Sequence, residues 1–233
     1  MQKIVKIFSV VLVGSSLGFA AIRVGEAAPA YGTKMPQKNQ FFVGGQSHYV
    51  LERKLEQEHG EMNSLQHFLL ISYGLTEWFS LDLKGGAGSI RQKADVGDEI
   101  VHPSFVGGGY GFRLRIYEQD KTKAVFGFQH ISIHPYSPHI GPVKNKAVSD
   151  DWQLSLLASR KVADTTPYLG MKWSRMDYIH WVDDERNRKK SDLTKSIGVI
   201  AGIDIPLSER VWVNLEGQFV DVWAAAFSLN FSF

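Results

Sequence analysis

The sequence predicts an all-β fold, a closed antiparallel up-and-down β-barrel of about ten strands that crosses a membrane. The count drops to eight if the first strand or the irregular fifth is miscounted. Three observations carry the prediction. Side-chain character alternates with period two from residue 40 to the end. The connections alternate strictly between short and long until the last one. Aromatic residues gather at strand ends, where interfacial girdles belong.

The chain divides into a leader, a short segment and the barrel. Residues 1–30 read as a secretory signal peptide: Lys3 and Lys6 form its basic start and Ile7 to Ile22 its apolar stretch. The small residues Ala27-Ala28-Pro29-Ala30 follow, and cleavage is expected after Ala27 or Ala30. Removing the leader takes away Lys3, Lys6, Arg23 and Glu26 and leaves a chain with no formal net charge. Residues 31–39 are expected as a short periplasmic segment, and residues 40–233 as the barrel. With no cysteine, the chain has no disulfide, zinc-thiolate site, iron–sulfur cluster, cysteine nucleophile or lipidated cysteine. The short basic run Arg186 to Lys190 follows directly on Asp183-Asp184-Glu185, which argues against a nucleic-acid partner.

Strands are expected at about 40–52, 64–73, 78–92, 105–118, 123–134, 150–161, 167–181, 193–205, 210–220 and 223–233. The last is the clearest, with Trp223, Ala225, Phe227, Leu229, Phe231 and Phe233 opposing Ala224, Ala226, Ser228, Asn230 and Ser232. The first, fifth and seventh alternate poorly and are expected to carry bulges. The short connections are Gly74 to Glu77, Glu118 to Thr122, Val162 to Thr166 and Pro206 to Glu209; the long ones are Arg53 to Asn63, Lys93 to Ser104, Pro135 to Ser149 and Val182 to Asp192. The last link, Asp221-Val222, is short where a long one is expected. Period two is the same for a soluble ligand-binding barrel, apolar inside, and for a membrane barrel, apolar outside. The terminal positions of Trp78, Tyr110, Trp152, Tyr168, Trp212 and Trp223 favour the membrane form.

The signal peptide, the turn Tyr73-Gly74-Leu75-Thr76-Glu77-Trp78 and the final strand ending in Phe233 resemble the small outer-membrane β-barrel proteins of Gram-negative bacteria, the porin/opacity-like class. The resemblance implies location in the outer membrane, contact with its lipid and lipopolysaccharide, and delivery by the barrel-assembly machinery. It also implies that Phe227, Leu229, Phe231 and Phe233 form the assembly signal. The class contains adhesins, pores, structural proteins and a few enzymes, so the fold does not name the function.

The polar faces place Asp82, Lys84, Arg113, Arg115, Asp204, Asn214 and Glu216 in the lumen, where mixed charges fill a narrow barrel with ion pairs. The expected function is that of a monomeric, non-enzymatic outer-membrane protein, structural or passing small solutes through a narrow lumen. No cofactor and no metal are expected, since His130 and His134 lie about 13 Å apart on an extended strand. Three other readings stay open. His130 and Ser132 share a strand face and resemble the His-x-Ser of lipid A deacylase barrels, with Ile133 where that family has Asn. The long loops suit surface adhesion, and a soluble lipocalin-like barrel would bind a ligand inside.

Overall fold

Strict alternation leaves each strand with one apolar and one polar face, and such strands are stable only when both faces find a matching medium. The computed structural model describes residues 32–56, 60–93, 99–191 and 193–233. The proposed leader and both its cleavage positions lie outside the described residues. Thirteen strands form one antiparallel system: β1 (Phe41–Lys54), β2 (Glu61–Gly74), β3 (Phe79–Lys93), β4 (Ile100–His102), β5 (Val106–Gln119), β6 (Thr122–His134), β7 (His139–Ile140), β8 (Val143–Arg160), β9 (Thr166–Val182), β10 (Glu185–Lys190), β11 (Ile197–Pro206), β12 (Val211–Phe219) and β13 (Trp223–Ser232).

Ten of them close a ring in the order β1-β2-β3-β5-β6-β8-β9-β11-β12-β13, and each overlaps one expected strand. β13 pairs back onto β1, with Val43 opposite Phe231 and Gly45 opposite Leu229. At the seam Phe233 N–H donates to the Phe41 carbonyl at 2.9 Å. Closure satisfies every ring strand on both edges, as a bilayer interior demands.

The other three strands occupy segments expected as open loops. β4 pairs with β3, β7 with β8, and β10 with the upper part of β9. They raise the wall at the long-loop end because backbone donors and acceptors there still need partners. The charged run in β10 hid its strand character from hydropathy. A register shift marks β1 between Val50 and Glu52, as expected for the first strand. A second marks β5 at Arg115/Tyr117, the fourth expected strand, while the paired residues of β6 and β9 run without one.

The short last link has a structural reason. Leu55 bridges Ser191, and Glu56 N–H donates to the Lys190 carbonyl at 2.9 Å, so β1 and β10 join above it. Beneath that bridge Asp221 and Val222 fold inward and are buried, and no long loop is needed to cap the wall.

The faces are inverted relative to a soluble protein. Leu83, Leu156, Leu169 and Met171 lie on the outside, 52–60% exposed. Gln66, Gln153, Ser174, Asn214 and Ser228 are buried on the inside. A soluble lipocalin-like barrel needs the opposite arrangement, so that alternative is corrected by the exterior itself. Inside, the long-loop half is filled by an apolar cluster including Met62, Phe68, Ile90, Ile133, Met176 and Tyr178. The turn half mixes polar side chains with buried Phe42, Val125, Leu157 and Trp212. Residues 32–40 enter the barrel at its turn end. Thr33 Oγ1 donates to Ser159 Oγ at 2.6 Å, and Lys34 Nζ lies 3.7 Å from the centre of the Trp212 ring. Gly74 makes room for this segment, since a Cβ there would fall 2.0 Å from the Gln37 carbonyl oxygen.

Candidate functional site

Two polar constellations stand out, one inside the barrel and one on its outer wall. Inside, strands with inward polar residues at alternate positions bring charges together from across the ring. Arg113 donates to both Asp82 oxygens at 2.9 and 2.7 Å, to Ser72 Oγ at 3.1 Å and to the Lys34 carbonyl at 2.7 Å. Lys84 reaches within 6.0 Å of the Phe68 ring centre. Arg115 sits beside the register shift and pairs with Glu118 near the turn end.

A second chain of contacts climbs the lumen. Asn214 Nδ2 donates to Asp204 Oδ1 and to the Tyr168 hydroxyl, both at 2.9 Å. Tyr168 donates to Glu216 Oε2 at 2.8 Å, and Gln218 Nε2 donates to Glu216 Oε1 at 2.8 Å. Lys172 Nζ then donates to Gln218 Oε1 at 2.7 Å and lies 3.1 Å from Asp221 Oδ2, while Arg53 Nη1 donates to the same Asp221 oxygen at 2.9 Å. Of the seven residues expected in the lumen, Asp82 and Arg113 fall in the first network and Asp204, Asn214 and Glu216 in the second, while Lys84 and Arg115 hydrogen-bond into neither. Sequence reasoning missed Arg53, Tyr168, Lys172 and Asp221. Arg53 and Asp221 fell in segments read as connections, and Tyr168 and Lys172 share a parity that was not followed.

The aromatic girdle is corrected in part. Trp78, Tyr110, Trp152 and Trp223 face outward, 40–57% exposed. Tyr168 and Trp212 point into the lumen, 4% and 1% exposed, because they have the parity of Lys172 and Asn214. Strand-end position alone did not reveal which side they occupy.

On the outer wall, the face alternation of β6 turns His130 and Ser132 outward, since Gln129, Ile131 and Ile133 between and beside them are buried. Cross-strand register then builds rows. Phe112, Phe128, Leu154 and Trp173 lie in line across β5, β6, β8 and β9. One step nearer the loop end come Tyr110, His130, Trp152 and Arg175; one step further come Gly108, Ser132, Asp150 and Asp177. The exterior therefore changes from apolar to ionic within two residues of strand.

His130 packs 4.3 Å from the Trp152 ring centre, and its Nε2 lies 3.8 Å from Asp150 Oδ1. Ser132 Oγ is bonded not to His130 but to His134 Nε2, at 2.8 Å. Asp150, in register opposite Ser132, is the carboxylate that comes near His130. Among the described residues, no group of three or more His, Asp or Glu side chains is arranged to hold a metal ion. Phe227, Leu229, Phe231 and Phe233 line the outward face of the final strand, with Phe227 and Phe233 48% and 63% exposed.

No family model and no curated protein matches the chain. Among solved structures it is similar to an outer membrane channel from Pseudomonas putida F1, at 10% identity and a TM-score of 0.46, covering 89% of this chain and 100% of that one. It is similar also to the translocator domain of the autotransporter NalP from Neisseria meningitidis, at 9% identity, TM-score 0.45, covering 100% and 95%. A third is the outer membrane protease OmpT from Escherichia coli, at 12% identity, TM-score 0.39, covering 83% and 95%. These likenesses are to the barrel and do not reach to function. The closed ring with an apolar exterior and a polar, ion-paired interior defines the class on its own: this is an integral membrane β-barrel of the outer-membrane type.

Proposed function

We propose that the chain is a non-enzymatic, structural outer-membrane barrel whose lumen is sealed by its own side chains. The observation that carries this reading is the filling of the interior. Two cavities inside the ring are about 20 Å³ each, one lined by Lys84, Arg113 and Gln129 and the other by Gln66, Ile133 and Lys172. Each is room for about one water. At the turn end a vestibule near Lys34, Lys161 and Trp212 holds about 400 Å³. The apolar cluster in the loop-end half adds a barrier to ions, which cross apolar constrictions poorly even where space remains. Of the structural and solute-passing roles expected for such a barrel, this favours the first. The refolded full chain in planar bilayers should stay electrically silent, and discrete conductance steps from it would overturn the reading.

A second reading has one observation in its favour. His130, Ser132, His134 and Asp150 converge on the lipid-facing side, where the ester of a membrane lipid has access. In this reading Ser132 is the nucleophile and a neighbouring imidazole its base. Expression of the full chain should then shorten the acylation of lipid A, with the mass shift abolished by Ser132→Ala. An unchanged lipid A mass spectrum dismisses it.

A further inference from the structure

We infer that the outer wall of β8, β9 and β10 binds a phosphate-bearing amphiphile, and that its occupant is the phosphorylated glycolipid, of lipid A type, that forms an outer leaflet. The inference goes beyond the sealed-lumen reading and does not depend on whether the wall also hydrolyses lipid. A groove of about 320 Å³ runs along this wall, lined by Phe128, Trp152, Leu154, Trp173, Arg175 and Arg188, with Asp177 at its back. Its lower part is apolar and continues into the lipid-facing surface through Leu156, Met171 and Leu169, 52–60% exposed. Its upper part is cationic. The side chains of Arg175 and Arg188 are 37% and 47% exposed, while the Asp177 carboxylate that holds both is 7% exposed.

The buried Asp177 carboxylate is shared by two guanidiniums and orients them; with Asp150 opposite it the two acids match the two arginines, and the positive excess of the wall comes from Lys146 and Arg186 above. Arg175 Nε is buried without a hydrogen-bond partner, and Arg175 approaches Asp177 only at 3.7 Å. Planar guanidiniums meet phosphate oxygens through paired N–H donors, so two of them side by side suit a phosphomonoester. Above the groove Lys146 and Arg186 flank the Trp181 ring, at 4.8 and 5.9 Å from its centre, and extend the cationic face. Arg186, Arg188 and Lys190 share this side because alternate residues of β10 pair with Trp181, Ile179 and Asp177. Lys189 takes the opposite parity, opposite Tyr178, whose side chain is buried inside the barrel. Asp150 and Asp177 are the acidic groups on this part of the wall.

Position selects a membrane lipid over a soluble anion. Arg175 stands two residues above Trp173 of the apolar row and Arg188, in register with Ile179, reaches back to Asp177, so a molecule held there has its headgroup at the rim and its tails along Leu154 and Met171. Binding at such a border draws on both apolar contact and charge in a partly dry setting.

The test uses the refolded full chain in neutral-lipid nanodiscs, with native mass spectrometry and tryptophan fluorescence as readouts. Bis-phosphorylated lipid A should bind as a single adduct, and its dephosphorylated form about tenfold more weakly. The double variant R175Q/R188Q should lose the same factor while keeping the heat-dependent gel shift of a folded barrel. Trp173→Ala should weaken lipid A and leave inorganic phosphate unaffected. The inference is overturned if wild type takes up no lipid A, if dephosphorylated lipid A binds equally, or if R175Q/R188Q binds like wild type. Phosphatidylglycerol binding as tightly as lipid A overturns the assigned occupant, and inorganic phosphate doing so overturns the membrane source.

Discussion

Asp221 shows how much a single side chain decides in this interior. Its carboxylate is fully buried and accepts Arg53 from β1 and Lys172 from β9. Gly198 is glycine for its sake, because a Cβ there would lie 1.8 Å from Asp221 Oδ1. Removing one partner of a buried ionic cluster strands the others, at a cost of about 3–5 kcal/mol, whereas replacing the whole cluster by apolar groups is close to neutral. Asp221→Ala is therefore expected to lower unfolding free energy by that amount in a urea titration of the lipid-embedded barrel. The triple change of Arg53, Lys172 and Asp221 to Met should recover most of it. At this scale legibility was uneven. Asp82, Arg113, Asp204, Asn214 and Glu216 could be placed by parity within their own strands. Arg53 and Asp221 could not, because each lies at a strand end where parity has no neighbours to lean on.

The elements at the loop end behave differently from the membrane-spanning wall. β9 has 17 residues, more than the ~9–11 a tilted spanning strand uses, and its upper part rises with β10 and β4 beyond the apolar rows. There His102, on β4, is enclosed with Tyr178 and His180, and the two imidazole centres are 6.0 Å apart. Burial pushes the His102 pKa down to about 4, assisted by His180, and burial together with Lys189 also lowers His180. Both rings are neutral at pH 7. A base with a depressed folded pKa stabilises fully above its unfolded value of about 6.5, and that contribution is lost as pH falls from there towards 4. Amide exchange in residues 99–106 and 176–191 should accordingly quicken at pH 5 relative to pH 7, after correction for intrinsic rates. His102→Phe should flatten that dependence; an unchanged profile in the variant would show that other groups control the rim. These elements were illegible because β10 alternates among charged residues and β4 is only three residues long, too short for any period to register.

For the whole molecule, the physical theme is inversion. A barrel in lipid turns its apolar side chains outward and must satisfy polar ones within, so its core is a network of ion pairs and hydrogen bonds packed with buried apolar clusters. The sealed lumen proposed above rests on ten strands whose inward positions carry Arg, Lys, Tyr, Trp, Phe and Met beside the smaller Ser and Ala. The chain's alternation by itself pointed to the ten ring strands, with eight as its alternative, to their positions within a few residues for most of them, and to which residues share a face. Alternation is a local property of extended backbone, so neighbouring residues suffice to read it. Which face looks inward, which charges meet across the lumen, and which outward residues align into the His130 and Ser132 rows were decided only by tertiary structure. Those relations join strands far apart in sequence, and they exist only once closure and register have set every strand against its neighbours.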